Sequence, residues 1–219
     1  MTDSLTTITT TTGALRQALE RTAPFAAGDD SRPTLHGVQI RIDQQGVRFA
    51  GADGSVLGFQ RLNGADISGS GTVIIRLPDA KAAIKALPKT KRAADDPVTI
   101  TWEDYGPIRI TAESVTLECE RVEGSAPNYD SVVPTVGPTA YTPGPYVALN
   151  PALLLKVCRA AGIGMRTVRV YVQEPRSPIV GGTLDGFGFV LMPMFVEMSD
   201  KPGDLLAGIV GTPLASTGD

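Results

Sequence analysis

The sequence predicts an α+β protein in which helices pack on one face of antiparallel sheets, and two observations predict it. One order of elements, strand-helix-strand-strand-strand, recurs three times along the 219 residues. Within each copy the apolar positions switch from helical spacing to strict alternation, as a surface helix followed by half-buried strands requires.

In the first copy TTITTT precedes a helix over Gly13–Ala26, with Leu15 and Leu19, and Ala14 and Ala18, at helical spacing; LHGVQIRID, GVRFAGADG and SVLGFQRL then read as strands. The second runs from GTVIIRLP through the helix DAKAAIKALPK to PVTITWED, PIRITAES and VTLECERVE. The third runs from YVALN through PALLLKVCRAAG to TVRVYVQEP, SPIVGGT and FGFVLMPMFVE. Asp79 and Asn150 stand where helix caps belong, Pro151 occupies the favoured first turn, and Gly162 and Gly164 end the third helix. One unit cannot cover both its sheet and its helix, whereas two side by side can, with helices on one face of a continuous sheet. Residues 5–134 are therefore expected to form a complete two-unit domain and 145–199 half a domain. A Pro- and Gly-rich connector over 135–144 and a flexible tail over 200–219 complete the expected organisation.

Composition removes several function classes. Hydrophobic residues at 42% and charged residues at 20% describe an ordinary globular chain, and no apolar run reaches membrane-spanning length. The Thr-rich start lacks the basic and apolar regions of a secretory signal, and Cys119 and Cys158 suggest no disulfide framework, so a reducing, cytoplasmic location is expected. The single histidine, His36, sits at a strand entrance and reads as an interface or surface residue, and phosphate loops, nucleophile elbows and Cys/His metal clusters are missing. No cofactor or metal is expected. Asp53, Glu103, Asp104 and Glu113 are the acids an enzyme would have to use, and they fall at turns and on exposed strand positions, so the chain is expected not to be an enzyme.

Charge is sorted by element. The chain carries −3 overall, yet residues 13–26 carry +1, residues 79–92 carry +4 and residues 151–166 carry +3, which leaves −11 for the rest. Basic helices above acidic sheets offer one face to phosphate and repel it elsewhere. The candidate DNA-facing residues are Arg16, Arg21, Lys81, Lys85, Lys89, Lys91, Arg92, Lys156, Arg159 and Arg166. Contacts to phosphate alone are independent of sequence and permit sliding.

Four stretches, in order along the chain, resemble the bacterial-type DNA polymerase III beta sliding clamps. SRPTLHGVQI resembles the family's Arg-x-x-Leu-x-x-Val/Met lead into a long strand, and GADGSVLG its Thr-Asp-Gly-x-Arg-Leu-Ala turn. VEGSAPNYDSVVP resembles the domain-ending Gly-x-Phe-Pro-(Asp/Asn)-Tyr-x-x-Val-(Leu/Ile)-Pro segment, and FVLMPMFV the Tyr-Val-(Val/Leu)-Met-Pro-Met-Arg-Leu terminus. The sequence departs from the pattern at Ser55-Val56 for His-Arg, Ala126 for Phe and Phe195-Val196 for Arg-Leu.

The resemblance implies the DNA clamp fold, here as one and a half clamp domains, and a processivity factor that encircles duplex DNA. It also implies a groove between the middle and last clamp domains that accepts a short peptide of the Gln-Leu-x-Leu-Phe type from a polymerase, a clamp loader or a repair enzyme. Carried over position by position, that groove comprises Arg32, Leu35, Ala52, Gly54, Leu57, Pro127, Val132, Val190, Met192, Pro193 and Met194. Family rings contain twelve units, so three per chain imply a homotetramer in which each third unit pairs with that of a neighbour. The compact form suits a phage or another streamlined replicon. The alternative function is a clamp-like module that captures clamp-binding peptides, or antagonises a host clamp, without encircling DNA.

Overall fold

Thr11 ends the first strand and caps the first helix in the same step: its hydroxyl accepts a hydrogen bond from the amide of Ala14 at 3.3 Å. In this computed structural model, which describes residues 5–44, 46–90, 92–113, 115–131, 149–162, 168–172, 177–183 and 185–193, that junction sets the topology. The first unit comprises β1 (Thr6–Thr11), α1 (Thr12–Thr22) with a short 3-10 turn at Ala23–Phe25, β2 (Gly37–Asp43), β3 (Gly46–Ala52) and β4 (Val56–Leu62). After β5 (Asp66–Ser68), the second unit comprises β6 (Gly71–Arg76), α2 (Leu77–Ala86), β7 (Pro97–Trp102), β8 (Ile108–Ala112) and β9 (Val115–Cys119). The third contributes α3 (Pro151–Ala161), β10 (Arg169–Tyr171), β11 (Ile179–Gly182) and β12 (Phe187–Leu191).

The α+β class and the helix-on-sheet packing agree with expectation, but the strands of the first two units are divided between two sheets where one continuous sheet was expected. One sheet runs β5-β1-β7-β8-β9, the other β10-β11-β12-β4-β3-β2-β6, and all pairings are antiparallel. The cause lies at the junctions. Neither β1 nor β6 has a loop before its helix, so neither can fold back beside the strands of its own unit. Each crosses to the other unit instead: β1 pairs β7, and β6 pairs β2. One core results, in which Leu15, Ala18 and Leu19 of α1 and Ala80 and Ala83 of α2 lie between Ile8, Ile100 and Ile110 of one sheet and Val38, Ile40 and Phe49 of the other.

Two further departures are local. Asp79 was expected to cap α2, but Arg76 stands at the cap position and the Asp79 carboxylate accepts the amide of Glu120 at 2.8 Å. The expected caps of α3 are present: Asn150 accepts the amide of Ala152 at 2.9 Å, Pro151 follows, and Gly162 closes the helix at φ 91°. His36 is partly buried, its Nδ1 lying 2.8 Å from the carbonyl oxygen of Ala27. The connector 135–144, the tail 200–219 and most of YVALN lie outside the described residues.

The third unit joins the first by continuing its sheet. Strand β12 pairs β4 with Val190 opposite Leu57 and Gly188 opposite Phe59. A Cβ on Gly188 would sit 2.1 Å from the Phe59 ring, so any larger residue there must displace that ring. Beneath this seam Phe25, Phe187, Phe189, Val157 and Ala161 form a second core, with the Phe25 and Phe187 ring centroids 6.1 Å apart.

Candidate functional site

The turn between β3 and β4 is built by one carboxylate. Asp53 Oδ1 accepts the amides of Ser55 at 2.9 Å and Val56 at 3.1 Å, while Gly54 takes the left-handed conformation at φ 93°. Asp53 Oδ2 receives Lys156 Nζ at 3.0 Å, which ties the turn to α3, and the amide of Met192 donates to the carbonyl of Ser55 at 3.2 Å. The turn, the end of β12 and the segment after β9 thereby converge on an apolar cavity of about 210 Å3.

Leu35, Ala52, Gly54, Ser55, Val56, Leu57, Tyr129, Val190 and Met192 line it. Six of the residues carried over from the clamp resemblance meet here: Leu35, Ala52, Gly54, Leu57, Val190 and Met192. Arg32 stands at the rim, its Nη1 2.8 Å from where a Cβ on Gly54 would be. Pro127 does not line the cavity; its carbonyl accepts Gln39 Nε2 at 2.9 Å and fixes the segment that delivers Tyr129. Pro193 follows Met192 directly at half-buried depth, and Val132 and Met194 lie outside the described residues.

The floor is dry and the lip is open. Ala50, Ala52, Leu57, Tyr129 and Val190 are buried together, whereas Met192 keeps 41% of its surface exposed. Burial pushes the Tyr129 hydroxyl up to about 12, so it stays protonated near neutrality. Sequence reasoning quoted Tyr129 within APNYDSVVP without assigning it to the groove; an aromatic inside a Pro-Asn-Tyr turn was the signal available. An adaptable methionine at the lip of a pocket of Leu, Val and Ala suits an extended apolar peptide rather than a polar metabolite.

The basic residues divide. Lys81, Lys85 and Lys89 project from α2 and its exit at four-residue spacing, and they, Arg92 and Arg159 are exposed. Arg16 is half-buried at the seam of α1 and α2, where it donates from Nε to the carbonyl of Ile84 at 3.4 Å and pairs with Glu20. Helix α1 touches both α2 and α3, so the three helices are neighbours.

One of the expected DNA-facing residues is corrected. Arg21 is only 5% exposed: its Nη1 donates to Gln60 Oε1 at 2.8 Å, its Nη2 to Asp185 Oδ2 at 2.9 Å, and its guanidinium stacks 5.8 Å from the Phe187 ring centroid. It fastens the third unit to the first and cannot reach a phosphate. Lys156 pairs with Asp53 at the groove turn while 38% of its side chain stays exposed. Lys91 and Arg166 lie outside the described residues.

The acids weighed for enzymatic chemistry do not converge. Asp53 organises the turn, Arg121 caps the carbonyls of Glu103 and Asp104, and Glu113 is exposed beyond β8. Among the described residues no group of three His, Cys, Asp or Glu could hold a metal, and no helix is long and apolar enough to cross a membrane.

No protein-family model and no curated protein matches the chain by sequence. Solved structures do match. The DNA polymerase III subunit beta sliding clamp of Pseudomonas aeruginosa bound to griselimycin aligns at TM-score 0.73 and 18% identity over 87% of this chain and 65% of that one. Another Pseudomonas aeruginosa DNA polymerase sliding clamp aligns at TM-score 0.76 and 20% identity over 90% and 68%, and the Thermotoga maritima DNA polymerase III beta subunit at 0.71 and 16% over 87% and 66%. The chain therefore has the fold of the DNA polymerase III beta sliding clamps in shortened form, spanning about 65% of the length of the first of these.

Proposed function

We propose that this chain is a non-enzymatic, cytoplasmic DNA sliding clamp: copies of it close a ring around duplex DNA, and the cavity beside Met192 holds a short apolar peptide of a polymerase or a clamp loader. The observation that carries the proposal is the joint presence, on a clamp fold, of an apolar groove at the β4–β12 seam and separate exposed cations, Lys81 and Lys85 on α2, Lys89 and Arg92 beyond its end and Arg159 on α3. Two surfaces of opposite chemistry let the protein bind phosphate without sequence preference and a protein segment by its apolar side chains at once. Arg16 adds partly neutralised charge at the helix seam.

The proposed organisation is a complete clamp domain over 5–134 and a half domain over 145–199, joined by 135–144, with residues 200–219 as a tail. Rings of twelve units then take four chains. The rival reading, a module that captures clamp-binding peptides without encircling DNA, is served by the groove but has no use for the exposed α2 lysines. Negative-stain images of the purified protein test this directly. Closed rings with an opening wider than a duplex support the clamp; compact particles without an opening support the rival.

A further inference from the structure

Within the complete domain the two units cover each other reciprocally. Helix α1 packs on α2, the outer edge of β2 is closed by β6 of the other unit, and the edge of β7 is closed by β1. The third unit presents the same two elements with that side open. Strand β10 ends its sheet, paired only with β11, and among the described residues nothing lies beyond it.

The open side is also where apolar surface accumulates. Of the eight large hydrophobic residues exposed among the described residues, four are here: Leu154 and Leu155 on α3, at 42% and 44%, and Val170 and Tyr171 on β10, at 54% and 48%. A free strand edge beside exposed leucines is a template for another sheet, and such edges are normally paired or covered.

We infer that this open side of the third unit, with α3 and the edge of β10, docks against the same side of a second copy of this chain, completing one clamp domain from two half domains about a two-fold axis. A second copy is the occupant because the protein already contains the solution: two units of this kind, related by a pseudo-two-fold, bury the matching helix face and strand edge in residues 5–131. An isologous contact buries Leu154, Leu155, Val170 and Tyr171 of both copies in one seam, which keeps the centre apolar and leaves Arg159 and Arg169 at the rim. This joint rests on the ring proposed above, and it alternates the direction of successive chains around that ring.

Native mass spectrometry of the full chain tests it, comparing wild type with Val170→Arg combined with Leu155→Glu. Both residues are exposed, so the variant keeps its fold, which an unchanged far-ultraviolet circular dichroism spectrum verifies. Each chain makes two ring contacts, so losing this one halves the particle mass, from four copies to two. A halved mass supports the joint whatever the wild-type count, and a mass equal to wild type overturns it while leaving a ring possible by other contacts. A monomeric wild type overturns both the joint and the ring. Cys158, exposed on α3 one turn beyond Leu154 and Leu155, supplies a second readout. A short bis-maleimide links two wild-type chains into a covalent dimer, and Cys158→Ser abolishes the product. Failure of wild type to cross-link while remaining oligomeric places the contact elsewhere.

Discussion

Substituting Met192 should separate peptide binding from folding, and the size of the effect follows from its exposure. Burying a methionine side chain completely contributes about 1.5–3 kcal/mol. With 41% of the residue still open, a docked peptide covers less than half of that surface, worth about 1 kcal/mol. Met192→Ala is therefore expected to weaken a Gln-Leu-x-Leu-Phe-type peptide by about fivefold. Met192→Asp adds the cost of pressing a carboxylate against an apolar anchor, about 2 kcal/mol more, for a total loss of about a hundredfold. Because the residue is already half in water, stability should change by no more than about 0.5 kcal/mol. Leu57 is the contrasting position: 5% exposed and paired with both Val190 and Ala52, it should cost more than about 3 kcal/mol as Asp and lose folding together with binding. Fluorescence polarisation of a labelled peptide, with thermal unfolding in parallel, reads both quantities. Undiminished peptide affinity in Met192→Asp would refute the placement of the groove.

Arg21→Met should lower stability by about 2 kcal/mol, seen as a fall of about 5 °C in Tm, because buried Gln60 Oε1 loses its donor while the partly exposed Asp185 can return to water. Phosphate binding, measured at fixed salt, should not change. Reversing Lys81, Lys85 and Lys89 to Glu should leave Tm nearly unchanged and reduce the salt-dependence slope of DNA binding by about 2.7, at about 0.9 per lost phosphate contact. A maleimide should label exposed Cys158 at neutral pH and spare Cys119, which is buried and whose thiol burial pushes up to about 11; Cys119 should react only on unfolding.

The sequence was most informative where local chemistry decides the structure. Helical spacing located α1 to α3 within a few residues, and Asn150, Pro151 and Gly162 delimit α3 by side-chain and backbone preferences that act over one turn. Strand β5 was missed because its three residues are all exposed and carry no alternation. Asp79 looked like a cap, but its partner is the amide of Glu120, 41 positions away. Arg21 shows the same limit more sharply. On a helix it looks like any basic surface residue, and only Asp185, 164 positions later, reveals that it is buried at a joint between units. The exchange of β1 and β6 between units was likewise hidden in long-range pairings, Thr6 with Trp102 and Gly37 with Arg76, although the missing loop before each helix was in view. Groove positions were legible to the extent that motif positions mark them; Tyr129 was overlooked because a tyrosine in a turn resembles ordinary surface until the turn is seen folded over Leu57 and Val190.

The central claim is topological, and a threading experiment tests it without any loader. The protein is incubated with linear duplex DNA, both ends are blocked with bound streptavidin, and the complex is washed at salt high enough to dissolve phosphate contacts. The account predicts that protein stays on the blocked DNA through the wash and is released when a restriction enzyme cuts it. Loss of the protein in the salt wash, before any cut, would contradict encirclement.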